Sequence, residues 1–131
     1  MSSLPTLLNL VVTTLQTYPH CTSVAIVETK EFSEEQFFLK VRASLSGGMS
    51  FQVRVYYNRG HHDYAYQLFA DAPIWRWDNK EDCPGLENFP HHQHRPRGGI
   101  VSSTLCGDPA IDLPEVLKAI GKFLESNSTP I

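Results

Sequence analysis

The sequence predicts an α+β domain: an antiparallel β-meander of about five or six strands, with an N-terminal and a C-terminal helix packed on the sheet. Three observations predict it. Apolar residues recur at helical spacing near both ends, the stretch between alternates with a period of two, and turn-forming residues cut that stretch into short pieces. Short connections between successive strands favour hairpins over crossovers. Helices gathered on one face of such a sheet leave its other face bare.

Leu4, Leu7, Leu8, Val11, Val12 and Leu15 share one helical face, which predicts a helix from about Leu4 to Thr17, stopped before Pro19. Its β-branched content is poor for an isolated helix, so packing must hold it. Ser23 to Lys30 is a β-branched run and predicts the first strand. Phe37, Leu39, Val41, Ala43 and Leu45 alternate with Phe38, Lys40, Arg42 and Ser44 in the second. Ser46-Gly47-Gly48 supplies a permissive turn. The third strand alternates Phe51, Val53, Val55 and Tyr57 with Gln52, Arg54 and Tyr56. His62 to Phe69 and Ile74 to Asp78 predict two more strands, and Ile100 to Ser103 a short last one. Asp112-Leu113-Pro114-Glu115 has the form of a helix start with Asp112 as the cap, and Leu113, Val116, Leu117, Ile120, Phe123 and Leu124 form the stripe that follows. With these faces inward, Lys40, Arg42, Arg54 and Tyr56 share the open face. Arg76, Tyr64 and Tyr66 join it in one of the two phases of their strands, and a slip of one residue reverses the assignment.

A chain of 131 residues makes one domain, taken as 1–131, with about 126–131 as a flexible tail. The net charge of −3 excludes a nucleic-acid binder driven by overall charge, but not a local basic patch. No apolar run nears the ~20 residues that cross a bilayer, and the first residues lack the positive charge of a signal peptide. The three cysteines, Cys21, Cys83 and Cys106, are odd in number and widely spaced, which suits reduced thiols and a cytoplasmic location.

One stretch is hard to explain by folding needs alone. Trp75 to His94 reads WRWDNKEDCPGLENFPHHQH, and three of the six histidines, His91, His92 and His94, fall within four residues of it. Histidine exchanges protons near neutral pH and is the commonest metal ligand. In extended chain His92 and His94 point one way and His91 the other. The plainer account is a solvated polar loop, but three histidines close in sequence to Asp78, Asp82 and Cys83 favour a site. Arg76 and Asp78, two apart, share a strand face. They are either a surface ion pair or an arginine fork for phosphate oriented by the carboxylate. Trp75 and Trp77 fall opposite, as core. Cys83 with His92, His94 and Asp82 invites zinc, but the paired spacing of a zinc motif is missing, as are HExxH, GxSxG and a glycine-rich phosphate loop. We therefore expect no cofactor, with zinc or another divalent metal at those four residues as the alternative.

The C-terminal half resembles the TumE-like toxins, a family encoded beside helix-turn-helix antitoxins. The resemblance rests on Tyr64-Ala65-Tyr66, on Ile74-Trp75-Arg76-Trp77-Asp78-Asn79, and on Phe89-Pro90-His91-His92-Gln93-His94, followed by the capped helix from Asp112. These pieces cover about half the chain. One stretch departs from the family pattern: Asp82 and Cys83 stand where members often carry a second histidine pair. The resemblance implies growth inhibition, neutralised by a helix-turn-helix antitoxin. The architecture is also similar to that of metal-independent nucleases of the barnase and RelE kind.

The expected function is therefore a ribonuclease toxin that uses no metal. Two of His91, His92 and His94 would serve as base and acid, with Arg76 as the cation and Asp78 orienting an imidazole. Tyr64, Tyr66, Arg54, Arg42 and Lys40 would bind RNA. The alternatives are a non-catalytic binder or degenerate toxin whose histidine loop is structural, and a metal-dependent hydrolase. The oligomeric state is open between monomer and homodimer.

Overall fold

The computed structural model describes residues 3–127. Helix α1 (Leu4–Gln16) is followed by strands β1 (Cys21–Ser33), β2 (Gln36–Leu45), β3 (Ser50–Asn58), β4 (His61–Phe69), β5 (Pro73–Asp78), β6 (His92–His94) and β7 (Ile100–Ser102), and by helix α2 (Pro109–Asn127). The seven strands form one sheet whose spatial order is the chain order, each antiparallel to the next. The sheet thus exceeds the expected five or six strands, and the addition is β6, inside the segment read as a loop. Three residues are too few to show a period, and β6 is held by the ladders on its two sides rather than by its own propensity.

Ser3 caps α1, accepting from the Thr6 amide, and Leu7, Val11 and Leu15 are its buried face. The start of α2 corrects the sequence reading. The helix begins at Pro109 instead of after Asp112, and the Asp108 carboxylate accepts from the Ala110 amide at 3.0 Å. Asp112 lies inside the first turns, where its carboxylate reaches back to the Cys106 and Gly107 amides. Both Asp108-Pro109 and Asp112-Leu113-Pro114 carry helix-start chemistry, and the earlier one wins because Asp112 is engaged elsewhere. Ser126 and Asn127 close α2 instead of opening a tail, while the rest of the expected tail, 128–131, lies outside the described residues.

Both helices bury their apolar stripes against one face of the sheet. That face carries Phe37, Leu39, Val41, Phe51, Val53, Val55, Tyr64, Tyr66, Leu68, Trp75 and Trp77, as the period-2 pattern requires. Each such apolar side chain contributes about 1.5–3 kcal/mol on burial. Tyr64 and Tyr66 therefore belong to the helix-covered face and not to the open one; they stack on each other with ring centroids 4.9 Å apart. The open face holds Lys40, Arg42, Arg54, Tyr56 and Arg76. Arg54 lies over Phe38 and Arg42 over Phe69, at 5.6 and 5.7 Å from the ring centres. No helix among the described residues is long and apolar enough to cross a membrane.

The Tyr18 hydroxyl, just after α1, donates to the Leu117 carbonyl of α2 at 2.7 Å. Burial, helped by Glu125, pushes its pKa up to about 12. Tyr18→Phe removes one such bond, so it should cost about 1 kcal/mol, read as a lower urea midpoint at unchanged slope.

Candidate functional site

Strand register assembles the site. Arg76 lies opposite His94 and Asp78 opposite His92 across the β5–β6 ladder. Alternation puts all four side chains on the open face. They converge on one carboxylate. Arg76 Nε donates to Asp78 Oδ2 at 2.9 Å, and the Lys80 backbone amide donates to Oδ1 at 2.9 Å. His92 Nε2 stands 3.1 Å from Oδ1, and His94 Nε2 stands 3.6 Å from Oδ2. The two imidazoles meet edge to face, with centroids 5.1 Å apart. Asp78 is 4% exposed and so acts inside a poorly solvated pocket, where its interactions are stronger than at a free surface.

The two histidines are not equivalent. His94 has a side chain 41% exposed and reaches solvent. His92 is sealed at 1%. The Pro90 carbonyl, 3.0 Å from His92 Nδ1, can only accept, so that nitrogen carries a proton and donates. Nε2 is left facing Asp78 and, at 3.6 Å, Asp82. It has no hydrogen-bond partner among the described residues, because its approach to Asp78 is short but not aligned as a bond. Cys83 donates to Asp82 at 3.4 Å. Desolvation, then Asp82, hold its thiol above the ordinary value, so Cys83 is no ready thiolate nucleophile.

Beside Asp78 the open face dips into a cleft of about 220 Å³ lined by Arg54, Tyr56, Asp63, Arg76, Asp78 and Lys80. Its floor is Ala65, which stands in register between Arg54 on β3 and Asp78 on β5. A larger residue there would fill the hollow. Lys40 is the next partner along this row and Arg42 lies on the neighbouring one, where it donates to Gln52 at 2.6 Å. Lys80, Asp63 and Ala65 were not singled out from sequence. Cross-strand register places Asp63 and Ala65, the bond from the Lys80 amide to Asp78 places Lys80, and nothing in their local pattern marks them.

His91, Tyr64 and Tyr66 lie on the other side of the sheet. The Tyr64 hydroxyl and His91 Nδ1 are 2.8 Å apart and their rings stack at 5.9 Å. Tyr66 is fully buried, its hydroxyl without a partner among the described residues. Burial pushes both phenols well up. His91 opens on a second hollow with His61, His62, Cys106 and Asp108. The histidine run is thus divided by the sheet as strand alternation predicts: His92 and His94 come together on the open face and His91 goes to the covered face.

Burial lowers the pKa of both His62 and His91 below the ordinary 6.5. An imidazole whose folded pKa is depressed costs stability as pH falls, because the unfolded chain takes up the proton first. Stability should therefore decline once the pH drops through 6.5 and level off below the folded values. Urea midpoints measured from about pH 7 down to about pH 5 check this, and a His62→Gln/His91→Gln chain should give the flatter profile.

The fold and its open-face cleft define an α+β protein that presents guanidinium, carboxylate and imidazole together on the sheet face that the helices leave bare. Residues 11–125 match the family model described as Toxin TumE, and the chain belongs to that family. Searches of curated proteins and of solved structures found no match. The family makes this chain a toxin of the toxin–antitoxin kind and gives it an antitoxin as partner.

Proposed function

We propose that this toxin arrests growth by cutting RNA at the open-face cleft, in the cytoplasm, until a helix-turn-helix antitoxin neutralises it. The observation that carries the reading is the Arg76–Asp78–His94 group at the rim of a cation-lined hollow. RNA brings its own nucleophile, the 2′-hydroxyl. His94 takes that proton, and Asp78, 3.6 Å away, orients the imidazole and closes to bonding distance when substrate binds. Arg76, fixed by Asp78, meets the charge that develops on the phosphorane. The leaving 5′-oxygen is protonated by water, to which the cleft is open. Arg54, Lys40 and Arg42 run away from the cleft along the bare sheet and bind the flanking phosphates. His92, sealed behind Asp78, is a positioning residue. No step draws on a metal.

Tightly induced expression in a bacterial host tests this, with wild type beside His94→Ala and Arg76→Ala and RNA integrity followed over the same minutes. Arrest with RNA cleavage, lost in both variants, supports the reading. Arrest with intact RNA removes the nuclease and keeps the toxin. No arrest from folded wild-type protein favours a binding protein or a degenerate toxin.

A further inference from the structure

The geometry points to Asp78, His92 and His94 as a binding site for one zinc-like divalent ion, and to that ion as an inhibitor of the toxin. Three observations converge. First, the donor set is two imidazole nitrogens and a carboxylate, all within 4.8 Å of one another. Four-coordinate zinc with bonds of about 2.0–2.1 Å needs its ligand atoms about 3.3 Å apart. His92 Nε2 and His94 Nε2 stand 3.1 and 3.6 Å from the two oxygens of Asp78. Second, His92 Nε2 is a buried nitrogen with no hydrogen-bond partner among the described residues, aimed at a carboxylate. Two facing lone pairs repel, and a cation between them removes the repulsion. Third, the outer contacts are those that hold metal ligands in place. The Pro90 carbonyl accepts a hydrogen bond from His92 Nδ1, and the Lys80 amide donates to Asp78.

Three protein ligands leave the fourth position to water on the cleft side. Arg76 already holds Asp78 Oδ2 and competes for it, so the site suits a reversibly bound ion rather than a structural one. The inhibitory half of the inference rests on the ribonuclease reading. An ion on His94 Nε2 forces the ring's one proton onto Nδ1, the nitrogen whose lone pair would take the 2′ proton while Nε2 faces Asp78, and it draws Asp78 away from Arg76.

The test uses the full, untagged chain stripped with EDTA. Cobalt(II) is titrated in and followed by its visible absorption, and zinc by the rise in melting temperature. Wild type should give the intense spectrum of a four-coordinate ion. Changing an outer contact already costs such sites about 10–100-fold in affinity, so loss of a ligand in His94→Ala should cost about tenfold or more. His91→Ala, on the other face, should bind as wild type does. His94 is partly exposed, so its variant should stay folded, and its melting temperature without metal checks that. No cobalt spectrum, or one that survives His94→Ala, overturns the site and leaves the ribonuclease reading untouched. RNA cleavage is then assayed with and without zinc. Loss of cleavage, restored by EDTA, supports the inhibitory role. Faster cleavage with zinc keeps the site, overturns inhibition and removes the metal-independent mechanism.

Discussion

His94→Ala should abolish growth arrest and slow RNA cleavage by about 10²–10⁴-fold, the usual contribution of one positioned acid-base group. The same substitution should leave the melting temperature nearly unchanged. His94 is partly exposed, and what it loses is an approach of 3.6 Å to Asp78, too long to be a hydrogen bond. The contrast with His92→Ala makes the experiment decisive. His92 fills a sealed space and holds the Pro90 carbonyl, so its removal should lower stability by about 2–4 kcal/mol as cavity and lost bond combine. Toxicity lost with stability kept identifies a chemical role for His94, whereas equal destabilisation by both variants identifies a structural histidine segment. A fully toxic His94→Ala at wild-type expression would remove His94 from the chemistry.

Asp112→Ala should be the most destabilising of the single substitutions considered, by about 3 kcal/mol or more. The Asp112 carboxylate is 1% exposed and gathers the segment before α2. It accepts from the Gly107 amide at 2.7 Å, the Cys106 amide at 3.0 Å and the Cys106 thiol at 3.4 Å. Alanine leaves two part-buried amides without this acceptor, and each hydrogen bond to the charged carboxylate is worth about 1.5–3 kcal/mol. Gly107 has φ +97°, which a side chain rarely adopts, so the turn has no easy alternative shape. Asp112→Asn keeps one acceptor oxygen and should lose about half as much, and urea denaturation of the three proteins orders them. An alanine variant as stable as wild type would mean that water replaces the carboxylate.

The parts of the fold legible in sequence are those where one strand face is apolar and the other charged. Phe37 to Leu45 and Phe51 to Tyr57 carry that contrast, and the structure buries the faces it marks. Trp75 and Trp77 fell to the core by the same logic, which sends Arg76 and Asp78 outward. In β4 the signal fails because tyrosine suits a half-buried position on either face, so Tyr64 and Tyr66 gave no phase. The start of α2 was misplaced because Asp112 resembles a cap while serving the residues before the helix. Strand β6 was illegible because polar residues seated between two ladders need no apolar rhythm. As for the site, Arg76 and Asp78 were marked by spacing along one strand. Their meeting with His94, and the space above Ala65, depend on partners in other strands, which no local pattern records.

The agreement of strand order with chain order has a consequence for biosynthesis. Each strand's partner is the one just made, so the growing chain can extend the sheet from β1 through β4 as it leaves the ribosome. Arg76 and Asp78 arrive only with β5, His94 later still, and the helix that covers the far end of the core last of all. A chain released before residue 94 carries the basic sheet without the His94 imidazole. If the chemistry runs through His94 as proposed, prematurely terminated products of the gene should cleave no RNA, and activity should begin only with nearly complete copies.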